Sequence, residues 1–298
     1  MIEKIMRAPA AEYLIRQRVS ALRRVLPAAK AGDVTSLHQA RVATRRLRAA
    51  LPLVATGPKA QKVVKSVRRL TRALGPVREL DVAVLILDEL ERGGDVPQAA
   101  IDRLRLSVMD ERGHLHAAVR DEIDEFDLDK VHKRALAAAR KQTSGRKPKE
   151  AHSAHQTRER TVRRARHLTV AIESAAGLYL PDRLHEVRIA VKKLRYTLEL
   201  AGGARHASRL RTLKNAQDLL GRMHDLEVLI ARTRGIQSSP GASTLKVSAD
   251  LDRLVRRLEN ECRQLHGHYM AARPALLALC HRLTAAPKPR ERARSSAA

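Results

Sequence analysis

The sequence predicts an all-α protein built from two similar halves, and three observations carry that prediction. Apolar residues recur at intervals of three and four along nearly the whole chain, the spacing of helices that bury one face. The two-residue alternation of a half-buried strand is not found. One stretch also occurs twice: SLHQARVATRRLRAALPL at 36–53 returns as LHEVRIAVKKLRYTLEL at 184–200. Four main antiparallel helices per half, joined by short turns, make two pseudo-symmetric up-and-down bundles the natural architecture. The halves are 1–142 and 151–286, forming one domain; the polar TSGRKPKE at 143–150 reads as a linker, and 287–298, without apolar periodicity, as a disordered tail.

Taken in order, 10–31 is a first helix with Tyr13, Leu14, Leu22, Val25 and Leu26 for burial, kinked or ended by Pro27. Gly32 and Asp33 turn the chain, and Thr35 is the expected N-cap of the next helix. Asp182, after Pro181, is its counterpart. Both repeats thereby place a histidine, His38 or His185, in a first helical turn, where free N–H groups and the positive dipole end attract anions. A third helix from Lys59 breaks or bends at Gly75 and Pro76 and resumes over 78–91 with Leu80, Val84, Leu85 and Leu87 inward. Gly93 and Gly94 lead to Pro97 as a first helical residue, then a long helix to 123 and a shorter one over 129–141. The second half repeats the plan near 152–176, 181–201, 205–221, 224–233, 243–272 and 274–283.

At 100° per residue, His38, Arg41, Arg45 and Arg48 share one arc of the second helix, opposite Ala40, Ala43, Leu47, Ala50, Leu51 and Val54. His185, Arg188, Lys192 and Arg195 repeat that stripe, with Lys193 standing where Arg46 stood. Like charges three or four residues apart destabilise a helix by roughly 0.2–0.5 kcal/mol per pair, so each row needs something nearby to relieve it, and an anion is the simplest candidate. Lys62, Lys65, Arg69 and Arg72 form a second basic rail on the third helix. Its equivalent is thinner: Arg211 and Lys214 remain, but Asp218 faces the position of Arg72. A solvated face is the ordinary explanation of one such stripe; its return with histidine, spacing and flanking turn favours a ligand.

A second pair of segments, LGPVRELDV at 74–82 and LGRMHDLEV at 220–228, repeats alongside the first. With a histidine opening a helix and a paired basic step before LR, these four segments resemble the CHAD family, the conserved-histidine α-helical domain. The resemblance covers nearly the whole chain. It implies a helical fold of two pseudo-symmetric bundles that binds inorganic polyphosphate, without catalysis, through a central basic groove. Arg78 and His224, at matching positions of the second pair, would then meet phosphate, while Glu79, Asp81, Asp225 and Glu227 orient basic side chains or cap helix ends. Polyphosphate-metabolising enzymes or polyphosphate granules would be the associated partners.

Composition bounds the rivals. The formal charge of +27 far exceeds the magnitude of about 2–8 that keeps a small domain soluble, and so predicts a polyanionic partner. With no Trp and one Phe, Phe126, there is little to stack bases on, so nucleic acid enters as a competing polyanion. Cys262 and Cys280 make neither a disulfide framework nor a metal cluster. Each stripe histidine is followed by Arg or Lys where a metal site would want another His or a carboxylate. His224-Asp225 has the form of an HD metal pair, but the matching Arg78-Glu79 does not, and neither metal nor cofactor is expected. The N-terminus lacks an apolar core of signal-peptide length and no run of about 18 apolar residues appears, so the expected location is the cytoplasm, on polyphosphate granules if these are the partner, and not a membrane.

Overall fold

The computed structural model describes residues 8–55, 57–144, 150–175, 177–202, 206–239 and 245–285. Among these, all regular structure is helical: α1 (Ala8–Lys30), α2 (Val34–Val54), α3 (Pro58–Gly93), α4 (Gln98–Glu125), α5 (Leu128–Ser144), α6 (Glu150–Ser174), α7 (Pro181–Leu200), α8 (Ala207–Gln237) and α9 (Leu245–Thr284). The expected tail lies outside the described residues, as does 145–149 of the expected linker, whose ends belong to α5 and α6. No described helix is long and apolar enough to cross a membrane.

The helices are longer than the sequence suggested. α3 runs unbroken for 36 residues through Gly75 and Pro76, α8 unites the two segments expected on either side of 222–223, and α9 continues past Pro274. A proline inside a helix costs about 3 kcal/mol or more. Here tertiary burial on both sides offsets it: Leu70, Leu74, Val77 and Leu80 around Pro76, and Tyr269, Leu276 and Leu279 around Pro274, are all at most 1% exposed. α1 likewise passes Pro27 to end at Lys30. Tyr13 and Leu85, expected inward, are 66% and 46% exposed.

The two halves pack alike. α1 lies on α2 and α5, and α6 lies on α7 and the far end of α9, so α9 does in one helix what α4 and α5 do in two. Each half has its own core: Ile15, Leu22, Leu47 and Leu70 in the first, Leu168, Val187, Leu194 and Leu213 in the second. A third core lies between them. There α3 and α4 bring Leu80, Ile86, Leu87, Ile101 and Leu104 against Leu226, Leu229, Ile230, Leu251 and Leu254 of α8 and α9. Arg222 bridges Glu89 at 2.7 Å and Glu261 at 2.8 Å, and Arg232 bridges Glu79 at 3.6 Å as well as Glu111, tying the halves at the rim of that core.

Candidate anion-binding site

The turns that launch α2 and α7 set the stripes. The N-cap of α2 is Asp33, not Thr35: its carboxylate accepts from the Ser36 N–H at 2.7 Å, the reach of a capping side chain to the third helical residue. In α7 the cap is Leu180, with Pro181 preset as first residue and Asp182 inside the first turn. His38 and His185 are thus each the fifth residue of their helix, one step beyond the free N–H groups. Both turns are pinned from α3 and α8. Buried Asp81 holds Arg112 at 2.8 Å, which in turn donates to the Gly32 carbonyl at 3.1 Å, and the Tyr179 hydroxyl donates to Glu227.

So launched, the inner faces of α2 and α7 meet. The Arg45 guanidinium of one half lies 5.3 Å from the centroid of the Tyr196 ring of the other, and Arg195 lies 5.2 Å from the same centroid. Arg41 is anchored across α3, where its Nη1 donates to the Thr71 carbonyl at 3.1 Å. A Cβ at position 75 would stand 3.0 Å from that nitrogen. Glycine here leaves room for the close approach of Arg41, whose guanidinium would have to give by a few tenths of an ångström to a methyl group, and does not break the helix. Its counterpart Gly221 has open space, and Arg188 instead approaches Asp225 at 3.9 Å. Below the stripes, His185 Nδ1 and His224 Nδ1 are 3.4 Å apart.

The electrostatics record how closely these cations are held. Burial, then Arg188 and Arg45, push the Lys192 ammonium down to about 7, against a smaller opposing pull from Asp225. Burial, then Arg188, His185 and Lys192, push His224 down to about 4. His38 is lowered by burial and by Arg78, Arg41 and Arg45, and His185 by burial, Arg188 and Lys192. Arg41 and Arg188 are lowered chiefly by burial, with Arg45 adding to both. In the free protein these histidines are therefore neutral near pH 7. The charge of the site is carried chiefly by arginine, with Lys192 only partly protonated.

Not every predicted residue joins this cluster. Arg69 turns to α4, where Glu122 at 2.6 Å and Glu125 engage it. Its neighbour Arg68, which the sequence reading passed over, stands with Arg72 near Arg48 instead. Lys62 and Lys65 are exposed farther along α3, Lys193 and Arg211 are exposed, and Lys214 pairs with Asp218 at 2.6 Å. Arg195 also meets Glu199 at 3.2 Å, and Arg46 lies near Arg18 of α1. Tyr196 was missed as well. Its signal was a break in the repeat, since the matching position is Ala49. Among the described residues no three His, Cys, Asp or Glu side chains converge as a metal-ligand set.

Gly75 offers a clean test. Gly75→Ala is expected to leave helicity and melting temperature unchanged or slightly raised, since alanine favours a helix interior by about 0.8–1.0 kcal/mol, while displacing Arg41 and weakening polyanion binding several-fold. Gly221→Ala, in open space, should bind as wild type; equal losses in both would show that the Arg41 contact is irrelevant.

Among known proteins, the family profile described as CHAD domain matches residues 13–234. No curated protein gives a significant sequence match. The fold is shared with solved structures. The crystal structure of the CHAD domain from the plant Ricinus communis is 22% identical, with a TM-score of 0.60 over 94% of this chain and 92% of that one. PptA from Streptomyces chartreusis is 15% identical, with a TM-score of 0.65 over 89% of this chain and 98% of that one.

Proposed function

Because the chain belongs to the CHAD family, we propose that it binds inorganic polyphosphate, held without turnover in a basic groove between α2 and α7. The observation that carries this reading is the cation cluster drawn from both halves, in which burial and the neighbouring charges of Arg45 and Arg188 lower the proton affinity of Arg41 and Lys192, and burial and Arg45 lower that of Arg188. Such a cluster costs the free fold and is relieved by an anion. Arginine suits the task, because its planar fork makes paired charge-assisted bonds to phosphoryl oxygens, whereas Lys192 supplies a compact charge. His38, His185 and His224 donate to phosphate once its charge raises their proton affinity. Arg78, Arg48 and Arg72 extend the grip along α2 and α3. The exposed cations Lys62, Lys65, Lys193, Arg211 and Lys214 add field around it.

Duplex DNA is the rival polyanion that the charge admits, and competition at physiological salt separates the two. In calorimetry with polyphosphate of defined lengths, affinity should fall steeply with salt, as it does when proteins neutralise nucleic-acid phosphates. Affinity that stayed flat between low and physiological salt would sink the groove. Phosphate release should stay at background with Mg²⁺, Mn²⁺ or Zn²⁺ added; saturable release lost in His224→Ala would make the protein a hydrolase.

A further inference from the structure

On the flank of α2 that faces α1, beside the inner face, a second set of cations gathers. Arg18 and Arg24 of α1 and His38 and Arg46 of α2 line a cleft of about 510 Å³, and no carboxylate lines it. The Arg18 Nε is buried and, among the described residues, has no hydrogen-bond partner. Burial, then Arg46, lowers the proton affinity of the Arg18 guanidinium, with Glu199 opposing. His38 belongs to both sides, because it lines this cleft and also senses Arg78, Arg41 and Arg45 of the inner face.

The cleft is a property of the first half. Buried Ile15, Val19, Leu22 and Ala29 of α1 match buried Thr161, Ala165, Leu168 and Ala175 at a constant offset. By that register Arg24 corresponds to Val170, which is 61% exposed. The second half keeps Arg164 for Arg18 and Lys193 for Arg46 but lacks the cation that completes the set.

Resting on the polyphosphate reading, we propose that the α1–α2 cleft is a second phosphate subsite, which takes a long chain as it passes His38 from the inner face of α2 to this flank. From His38 to Arg46 the helix rises about 12 Å, so the cleft nearly doubles the cationic path that one α2 helix offers. A flexible linear anion whose every unit is charged can round the histidine and occupy both faces. A short one fills only the inner face, where more cations converge.

The test uses the full chain carrying Arg24→Gln with Arg46→Gln. A control of equal charge loss on exposed residues of α4 and α5 carries Arg120→Gln with Arg134→Gln. Calorimetry at physiological salt with long polyphosphate and with triphosphate should show a loss of roughly tenfold for the long chain, as expected when two phosphate contacts are removed. Triphosphate affinity and the control should stay within about twofold of wild type. The subsite is overturned if the long chain binds undiminished, if triphosphate loses as much as the long chain, or if the control loses as much as the cleft variant. Wild-type protein that bound neither length would instead overturn the polyphosphate reading, and this subsite with it.

Discussion

A chain cut near Lys149 is expected to aggregate or remain molten, although the repeat suggests that each half stands alone. The central core is the reason. Leu80, Ile86, Leu87, Ile101 and Leu104 are at most 1% exposed and pack on α8 and α9. Burying each such side chain is worth about 1.5–3 kcal/mol. Even if half of that burial survives between α3 and α4, the loss is roughly 5 kcal/mol, as large as the whole stability of many domains. Arg222 and Arg232 would leave with the second half, stranding Glu89, Glu79 and Glu111. Size-exclusion chromatography, circular dichroism and a hydrophobic dye would read the outcome. A monomeric 1–149 fragment melting cooperatively near the full-length temperature would show that the halves are independent units.

Polyphosphate affinity is expected to climb as the pH falls from 9 to 7, while the stability of the free protein declines over the same range. Lys192, held at about 7 in the free fold, lies well below its ordinary value of 10.5. Between those values the unfolded chain holds more protons than the folded one, so folding stability rises with pH there. Phosphate beside the ammonium restores its proton affinity, so the complex holds the proton that the free protein lacks. Binding takes up as much as about one proton, and the affinity constant gains up to about tenfold per pH unit of acidification. His224, at about 4 when free, opens a second window of the same sign below its ordinary value of 6.5. Calorimetry in buffers of differing ionisation enthalpy measures the uptake directly. Lys192→Met should erase the upper window and keep the lower one. A wild-type affinity independent of pH from 7 to 9 would mean that Lys192 does not meet the anion.

Much of this was legible before the fold was. Helix faces follow from spacing, and the repeated stripes single out Arg41, Arg45, Arg188 and Lys192 without any knowledge of where they meet. What stayed hidden is what depends on partners. Leu80 read as buried, yet periodicity reports that a face is covered, not by which half, so the third core was invisible. Gly75 and Pro76 read as a break because local propensity opposes a helix; the burial of Leu74 and Val77 overrules it. Arg69 fits the rail by spacing and leaves it because Glu122 and Glu125 lie within reach on α4. Asp33 took the cap from Thr35 through a single carboxylate contact that spacing alone does not decide.

The passage of α3 and α8 from the site into the central core has a kinetic consequence. Arg78 and His224 ride on helices whose far ends are locked against each other, so the distance between the two cationic faces belongs to a frame and not to a hinge. A site on such a frame is expected to bind a ligand without first opening or closing. On the polyphosphate reading, encounter is expected to be governed by diffusion in the field of a chain of charge +27, a regime in which steered association reaches about 10⁸–10⁹ M⁻¹s⁻¹ and slows sharply with added salt. Chain length is then expected to enter through residence time: each further phosphate that finds a cation should delay departure, while arrival should stay nearly the same for every length.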